Sequence, residues 1–263
     1  MKLHRWAGVT GLAIALACGP SQARQPTARV VEVQPSGPEV PANLLRISMR
    51  FAASVEGALL PRLSLMRADG RPIEEPFLEQ ELWSPGGKVL TIMMHPGRVK
   101  SGLNARAAMG PIFSTGDEVA LALDGRPIKR WRVGPADETG PVASAWKVSD
   151  VRVESKEPLV VRLDAPIDGR DADYLAVADA HKRRVPGRAR LTDGENTWTF
   201  TPNARWRAGT YQLVARGTLE DSAGNRLGGQ FETSMDSPPG QPVDAMLAFT
   251  VGRSRRPSHG VDQ

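Results

Sequence analysis

Apolar and polar residues alternate along most of this chain, and Gly or Pro interrupts the alternation every few positions. Period two is the spacing of a half-buried strand, because successive strand side chains point to opposite faces. Leu45, Ile47 and Met49 alternate with Arg46, Ser48 and Arg50. Leu63 and Leu65 alternate likewise before the turn Ala68-Asp69-Gly70-Arg71. Val89 to Met94 is an apolar run after Ser84-Pro85-Gly86-Gly87, and Val119, Leu121 and Leu123 alternate with alanines ahead of Asp124-Gly125. Further on, Leu159, Val161 and Leu163 share a side, Trp198 and Phe200 alternate with threonines, and Tyr211, Leu213 and Ala215 alternate with Gln212, Val214 and Arg216. With 26 Gly and 22 Pro in 263 residues, a long helical bundle does not fit and the expected class is all-β. Only Ser101 to Met109 reads as briefly helical.

The halves repeat each other. Leu45–Phe51 corresponds to Leu159–Leu163, Leu63–Asp69 to Leu175–Asp179, Leu90–Pro96 to Trp198–Pro202, and Gly116–Leu123 to Gly209–Ala215. The first three pairs are separated by about 110 residues, the size of a β-sandwich domain. Gly134-Pro135-Ala136-Asp137 and Gly140-Pro141 interrupt the strands between the halves. The reading is two tandem antiparallel sandwiches, at 43–140 and 141–251. A Pro-, Ser-, Gln- and Gly-rich flexible linker is expected over 18–42. A basic disordered tail with Arg253, Arg255 and Arg256 is expected over 252–263.

The N-terminus has the order of a secretory signal peptide: Lys2 and Arg5, then the uncharged, mostly apolar Trp6 to Ala17, then polar and breaker residues. The apolar run is shorter than the roughly 20 residues of a membrane-spanning helix. Two cleavage readings compete. Ser21-Gln22-Ala23 is a small-x-small site that would leave Arg24 first, making the signal 1–23. Ile14-Ala15-Leu16-Ala17-Cys18 resembles a bacterial lipobox, making the signal 1–17 and Cys18 the lipidated first residue. The lipobox is favoured, because the chain's single cysteine stands where a lipobox needs it. One cysteine also excludes an intrachain disulfide and a Cys-based zinc site. Either reading exports the protein, to the periplasm or, as a lipoprotein, to the outer membrane.

Thr197-Trp198-Thr199-Phe200-Thr201-Pro202, Trp206-Arg207-Ala208-Gly209-Thr210-Tyr211 and Leu219-Glu220-Asp221-Ser222-Ala223-Gly224-Asn225 together resemble the bacterial Ig-like domains of surface-layer and other exported proteins. The first half, with Leu82-Trp83, Leu90-Thr91 and His95 to Lys100, resembles the preceding domain of uncharacterised exported proteins of that kind. It departs in lacking a clear counterpart of Ala208-Gly209-Thr210-Tyr211 and in an insertion around Lys100–Ser114. The resemblance implies Ig-like β-sandwiches and implies no catalytic activity. Within the motif, Pro202 ends a strand because it cannot donate to the ladder. Asp221 can accept turn amides, Gly224 and Asn225 tolerate positive φ, and Tyr211 is placed for a corner-type hydrogen bond.

A search for chemistry finds little. His4 leaves with the signal and His259 is in the tail, so a Ser-His-Asp site has only His95 or His181 to use. No Gly-x-Ser-x-Gly elbow occurs, and Ser84-Pro85-Gly86-Gly87-Lys88 joins strands rather than opening a helix. Glu220 with Asp221, and Asp168 with Asp171 and Asp173, would read functionally as glycosidase carboxylates or calcium ligands, and otherwise as a turn and a solvated loop. The second is favoured, since Arg170 sits among the carboxylates. Met93, Met94 and His95, with Met109 downstream, are the candidate metal ligands, because thioethers select Cu(I) and imidazole also binds Cu(II); against this, Met93 and Met94 point to opposite faces of a strand. His181-Lys182-Arg183-Arg184 and Arg253–Arg256 offer charge for anionic lipid or envelope polymer. Trp83, Trp146, Trp198 and Trp206 read as core or inter-domain anchors before sugar platforms. The net charge of +5, with both signs interspersed, does not point to nucleic acid.

The expectation is therefore a non-enzymatic exported cell-envelope protein with a structural, adhesive or binding role and no cofactor. Its partner would be an unknown envelope protein or polymer, and its membrane contact only the lipid anchor. The alternatives are a periplasmic copper-binding sandwich and an envelope hydrolase.

Overall fold

The computed structural model describes residues 29–99, 104–229 and 242–252. Cys18, both cleavage sites and the basic tail from Arg253 onward lie outside them.

The first half contributes β1 (Val30–Gln34), β2 (Glu39–Pro41), β3 (Arg46–Phe51), β4 (Leu63–Arg67), β5 (Phe77–Trp83), β6 (Val89–Met94), β7 (Glu118–Leu123) and β8 (Arg126–Gly134). They form two four-stranded sheets, in the orders β1-β3-β6-β5 and β2-β8-β7-β4. All pairings are antiparallel except β2 with β8, which is parallel. The inner faces bury Ile47, Met49, Leu90, Ile92 and Met94 against Leu65, Val119, Leu121, Trp131 and Val133. The alternation that announces the strands thus builds the core. At the β7–β8 hairpin, Asp124 (φ 51) and Gly125 (φ 73) both take left-handed backbone, the requirement of a tight two-residue turn matched to sheet twist.

The second half contributes β9 (Lys147–Val148), β10 (Leu159–Arg162), β11 (Leu175–Ala178), β12 (Gly187–Thr192), β13 (Thr197–Pro202), β14 (Gly209–Ala215) and β15 (Ala245–Val251). Its sheets have the orders β12-β13-β10-β9 and β11-β14-β15. A separate core forms from Leu159, Val161, Trp198 and Phe200 against Val177, Leu213, Ala215 and Val251. Lettered A to G in chain order, its strands give the sheets A-B-E-D and C-F-G. That is the Greek-key order of an immunoglobulin sandwich. The first half has the same order, with its A strand in two pieces: β1 lies beside B, and β2 crosses to lie beside G. Both halves are Ig-like β-sandwiches. The four repeated segments of the sequence occupy strands B, C, E and F in each. The Tyr211 hydroxyl donates to the Arg207 carbonyl at 3.1 Å, the expected corner bond at the entry to strand F.

The stretch expected as a flexible linker over 18–42 requires correction. From Val30 onward it is structure, with Val33 and Val40 buried. Pro35 and Pro38 fall in the crossover between the two pieces of strand A, where no ladder amide is needed. The expected helix appears in part, as Asn104–Met109. The insertion carrying it is held by Arg98, itself buried, whose guanidinium donates to the carbonyls of Glu74, Glu75, Gly110 and Pro111. No helix among the described residues is long and apolar enough to cross a membrane.

On β13, Trp198 and Phe200 are buried and stacked with ring centroids 5.7 Å apart, while Thr199 between them is half-exposed. Phe200→Ala is expected to cost about 3–5 kcal/mol in chemical denaturation. Thr199→Ala should stay within about 0.5 kcal/mol. The reverse ranking would mean that the strand is one residue out of register.

Candidate functional site at the junction of the sandwiches

The acidic residues noted in the sequence meet at the contact between the two sandwiches. Asp168 lies in the B–C loop of the second sandwich, where its carboxylate caps the 3-10 turn Gly169–Tyr174 by accepting from the Arg170 amide at 2.9 Å. The Trp198 indole N–H donates to Ala172 O at 2.9 Å and so ties that turn to the core. The F–G loop runs alongside. Asp168 N donates to Glu220 O, and Glu220 N donates to Asp171 Oδ2, both at 2.8 Å. Asp221 Oδ1 accepts from the amides of Ala223 and Asn225 at 2.8 and 2.9 Å, and its Oδ2 from Asn225 Nδ2 at 2.8 Å.

The first sandwich supplies the cation. Arg46, the first residue of β3, places Nε 3.3 Å from Asp168 Oδ2, an ion pair without hydrogen-bond geometry, and Nη2 on Glu220 Oε2. Arg46 and Asp168 are 8% and 4% exposed, so the pair is withdrawn from water. Around it the backbone is stitched across the junction. Leu45 N donates to Ser222 O at 2.9 Å, and Ser36 N to Glu195 Oε2 at 2.8 Å. Within the first half Asn43 and Asp137 exchange two bonds of 2.8 Å, and Asn225 Nδ2 of the second half reaches Asp137 O at 2.9 Å. The B–C, D–E and F–G loops of the second sandwich therefore all close onto the first. The space left among Gln34, Arg46, Ser48, Asp168 and Ser222 is about 10 Å³, room for one water at most.

Burial sets the protonation of this cluster. It pushes the Asp171 carboxyl up to about 7, opposed by the Glu220 amide and reinforced by the charge of Asp168. It pushes Asp221 up to about 6 against the bonds from Asn225. Glu195 is raised by burial against the bonds from Ser36.

The solvated loop favoured from the sequence is thus corrected for Asp168 and Asp171, which are buried, while Asp173 is exposed; Asp221, read as a turn residue, is buried too. The turn role of Asp221 holds. Asn225 works differently from expectation, through its side-chain amide rather than through positive φ, which only Gly224 adopts (φ 88). Sequence reasoning missed Arg46, Asn43 and Glu195. For Arg46 the one available signal was its position opposite the apolar side of a strand, which reads as solvent-facing. Met93 and Met94 point to opposite faces of β6, so at most one of them lies on the side of His95. Met94 is fully buried in the first core, Met93 faces the other way, and His95 follows the strand with a buried, unpartnered Nδ1. Among the described residues no three His, Cys, Asp or Glu side chains are grouped to hold a metal ion. His181 to Arg184 lie on the exposed turn between β11 and β12, with Arg183 paired to Asp179 at 2.8 Å. Trp146, Trp198 and Trp206 are buried and Trp83 half-buried.

No protein-family profile matches the chain, and no curated protein matches it. Among solved structures it is similar to an L,D-transpeptidase from Mycobacterium smegmatis (13% identity, 84% of this chain and 72% of that one, TM-score 0.28). It is also similar to an I-band fragment of titin (9%, 86% and 63%, TM-score 0.25) and to domains 5–6 of the S-layer protein SbsC (10%, 87% and 99%, TM-score 0.25). Likenesses at this level carry no functional argument.

Two outcomes follow from the junction. A carboxyl raised from near 4 to about 7 holds its proton in the folded chain where the unfolded chain has lost it. Its stabilising contribution is complete below pH 4 and is lost as the pH rises to 7. Unfolding free energy should therefore fall between pH 4 and 7, and Asp171→Asn should make that fall shallower; the residual slope belongs to Asp221 and Glu195. An unchanged slope in Asp171→Asn would show that this carboxyl is solvated. Separately, Arg46→Ala leaves the buried Asp168 with Arg170 as its one cationic partner and should lower stability by about 1–3 kcal/mol in urea titration. A loss under about 1 kcal/mol, the range of surface pairs, would mean that the junction is open to water.

Proposed function

We propose that this protein is an exported, non-enzymatic component of the cell envelope, in which two Ig-like sandwiches form one stiff unit with a structural, adhesive or binding role. The observation that carries the reading is the fate of the second sandwich's loops. The B–C and F–G loops of such a fold are where binding residues gather in variable domains, and here they close onto the first sandwich around Arg46. The carboxylates that would suggest hydrolysis are engaged by backbone amides and arginines, with about 10 Å³ beside them, far less than a substrate pocket. The Lys2–Ala17 pattern supports export, and Cys18 in its lipobox supports an anchor in the membrane by lipid alone.

Cell fractionation and lipid labelling test the reading. Native protein should take up labelled acyl chains and sediment with membranes, while Cys18→Ser should lose the label and appear in the soluble periplasmic or medium fraction. A native protein that is soluble and begins at Arg24 would replace the lipoprotein with a simply secreted one. Protein retained in the cytoplasm would overturn export itself.

A further inference from the structure

Strand β15, the G strand of the second sandwich, lies at an edge of its sheet. The other edge strands carry the usual protection against further pairing. β1, β2, β4, β5, β9 and β12 each hold a charged residue, and β11, which holds none, has only four residues. β15 has seven residues, Ala245 to Val251, with no charge and no proline. An edge of that length and composition is a template for one more strand. The first sandwich shows such a strand in place. Its own G strand, β8, is flanked by β2, and Val40 of β2 and the inward Trp131 and Val133 of β8 are all buried. In the second sandwich the equivalent cover is a single parallel bridge, Arg152 to Gly252, past the end of β15. From Ala245 to Val251, among the described residues, backbone pairing is to β14 alone. The inward Ala245, Leu247 and Phe249 are half-buried, and Met246 on the outer face is 62% exposed.

The strand fits a second copy of itself. Paired antiparallel about Ala248, it sets Ala248 against Ala248 of the copy, Leu247 against Phe249, Met246 against Thr250 and Ala245 against Val251. No row contains a charge, and the inner rows set aliphatic against aromatic, a favourable cross-strand pair. Charge at the two ends selects the direction. Asp244 stands directly before the strand and Arg253 two residues after it. Antiparallel pairing brings the acidic end of one copy to the basic end of the other, whereas parallel pairing would set Asp244 against Asp244. The outer face continues without charge as well: Ala176, Val214 and Met246 form one row across β11, β14 and β15, and Ala178, Gln212 and Ala248 the next. A two-fold pairing of this kind is closed. It uses the unprotected edge of both copies and leaves the short β11 as the outer edge on each side, so the seam does not propagate into a fibre.

We infer that two copies of this chain pair antiparallel through β15 about an axis at Ala248, joining two three-stranded C-F-G sheets into one of six strands. The seam is roughly 24 Å long at strand spacing and one strand wide, which is less than an obligate interface, so the association is reversible and depends on concentration. The pairing goes beyond the role proposed above and does not depend on export or anchoring; it is measured on the purified chain.

Sedimentation velocity of the non-acylated chain beginning at Arg24, from micromolar to hundreds of micromolar, should show a monomer–dimer equilibrium. Ala248→Lys sets like charges opposite each other across the axis and should weaken dimerisation severalfold, and Ala248→Glu should do the same. An equimolar mixture of these two variants should recover a dimer holding one of each, because unlike charges then face each other. Position 248 is exposed and lies opposite the neutral Gln212 of β14, so the melting temperature at high dilution should not change. If either variant fails to fold, Met246→Lys with Thr250→Glu in one chain keeps the test open: pairing about Ala248 sets each introduced lysine against the copy's introduced glutamate, and this chain should dimerise at least as tightly as the native one. A chain that stays monomeric throughout the series, Ala248→Lys dimerising like the native chain, a mixture no more dimeric than its parts, or a Met246→Lys, Thr250→Glu chain that dimerises more weakly than the native one would each overturn the assignment.

Discussion

Burying Arg46 against Asp168 takes two charges out of water, with the half-buried Glu220 beside them, and much of the junction is arranged around that fact. Desolvation of an isolated ion is prohibitive, so each group here has further partners. Arg170 pairs with Asp168 at 3.0 Å and Arg226 with Glu220 at 3.4 Å. Those contacts fix the B–C and F–G loops; the F–G loop presents the Ser222 carbonyl that receives the Leu45 amide, and the D–E loop presents the Glu195 carboxylate that receives the Ser36 amide. An apolar seam of the same area could be at least as stable. What the polar junction adds is direction: an arginine with two carboxylates and a set of paired amides is satisfied in one relative placement of the sandwiches, whereas an oily patch tolerates sliding.

The strands that the sequence shows plainly are B, C, E and F in each half. These sit inside the sheets or face the core with nearly every inward residue, so alternation survives in them undiluted. The strands it hides are mostly at edges: β1 and β2 within a Pro-rich stretch, β5 with its run of Glu79, Gln80 and Glu81, β12 with Arg188 and Arg190, and β15. Edge strands carry charge and proline because an unpaired ladder invites aggregation, and those same residues erase the pattern by which a strand is recognised. The pairing of corresponding segments between the halves was legible because strands B, C, E and F occur in the same chain order in both.

The junction was legible only in pieces. The carboxylates were visible as residues, and the Asp221 turn was correctly read from Asp221 to Asn225. Their burial was not, because burial here comes from a second domain rather than from the segment's own core. Arg46 and Ser48 occupy the polar phase of β3, and period two assigns that phase to the outside of a sheet. It is the outside of the first sheet. Ser48 pairs with the Thr91 hydroxyl at 3.0 Å on that face, 5% exposed, while Arg50, two residues on, is left in solvent. Alternation gives the face of a strand and says nothing of what lies beyond it.

The two sets of arginines in this molecule follow from the same alternation with opposite results. On β3 the polar phase meets a partner domain, and Arg46 finds two carboxylates at the cost of desolvation. On β10 and β12 the polar phase meets water. There Arg162 faces Lys147, and Arg188 and Arg190 face threonines, with no carboxylate in the rows between them. Water screens the repulsion enough for the fold to tolerate it, so the arrangement persists without being stabilising. A buried cation in a folded protein is explained by the anions around it. An exposed cation needs only water, so the same alternation tolerates Arg162 opposite Lys147, with Asp164 and Asp193 at the same depression turned to the Val142 amide, the Trp146 indole and the Thr197 hydroxyl.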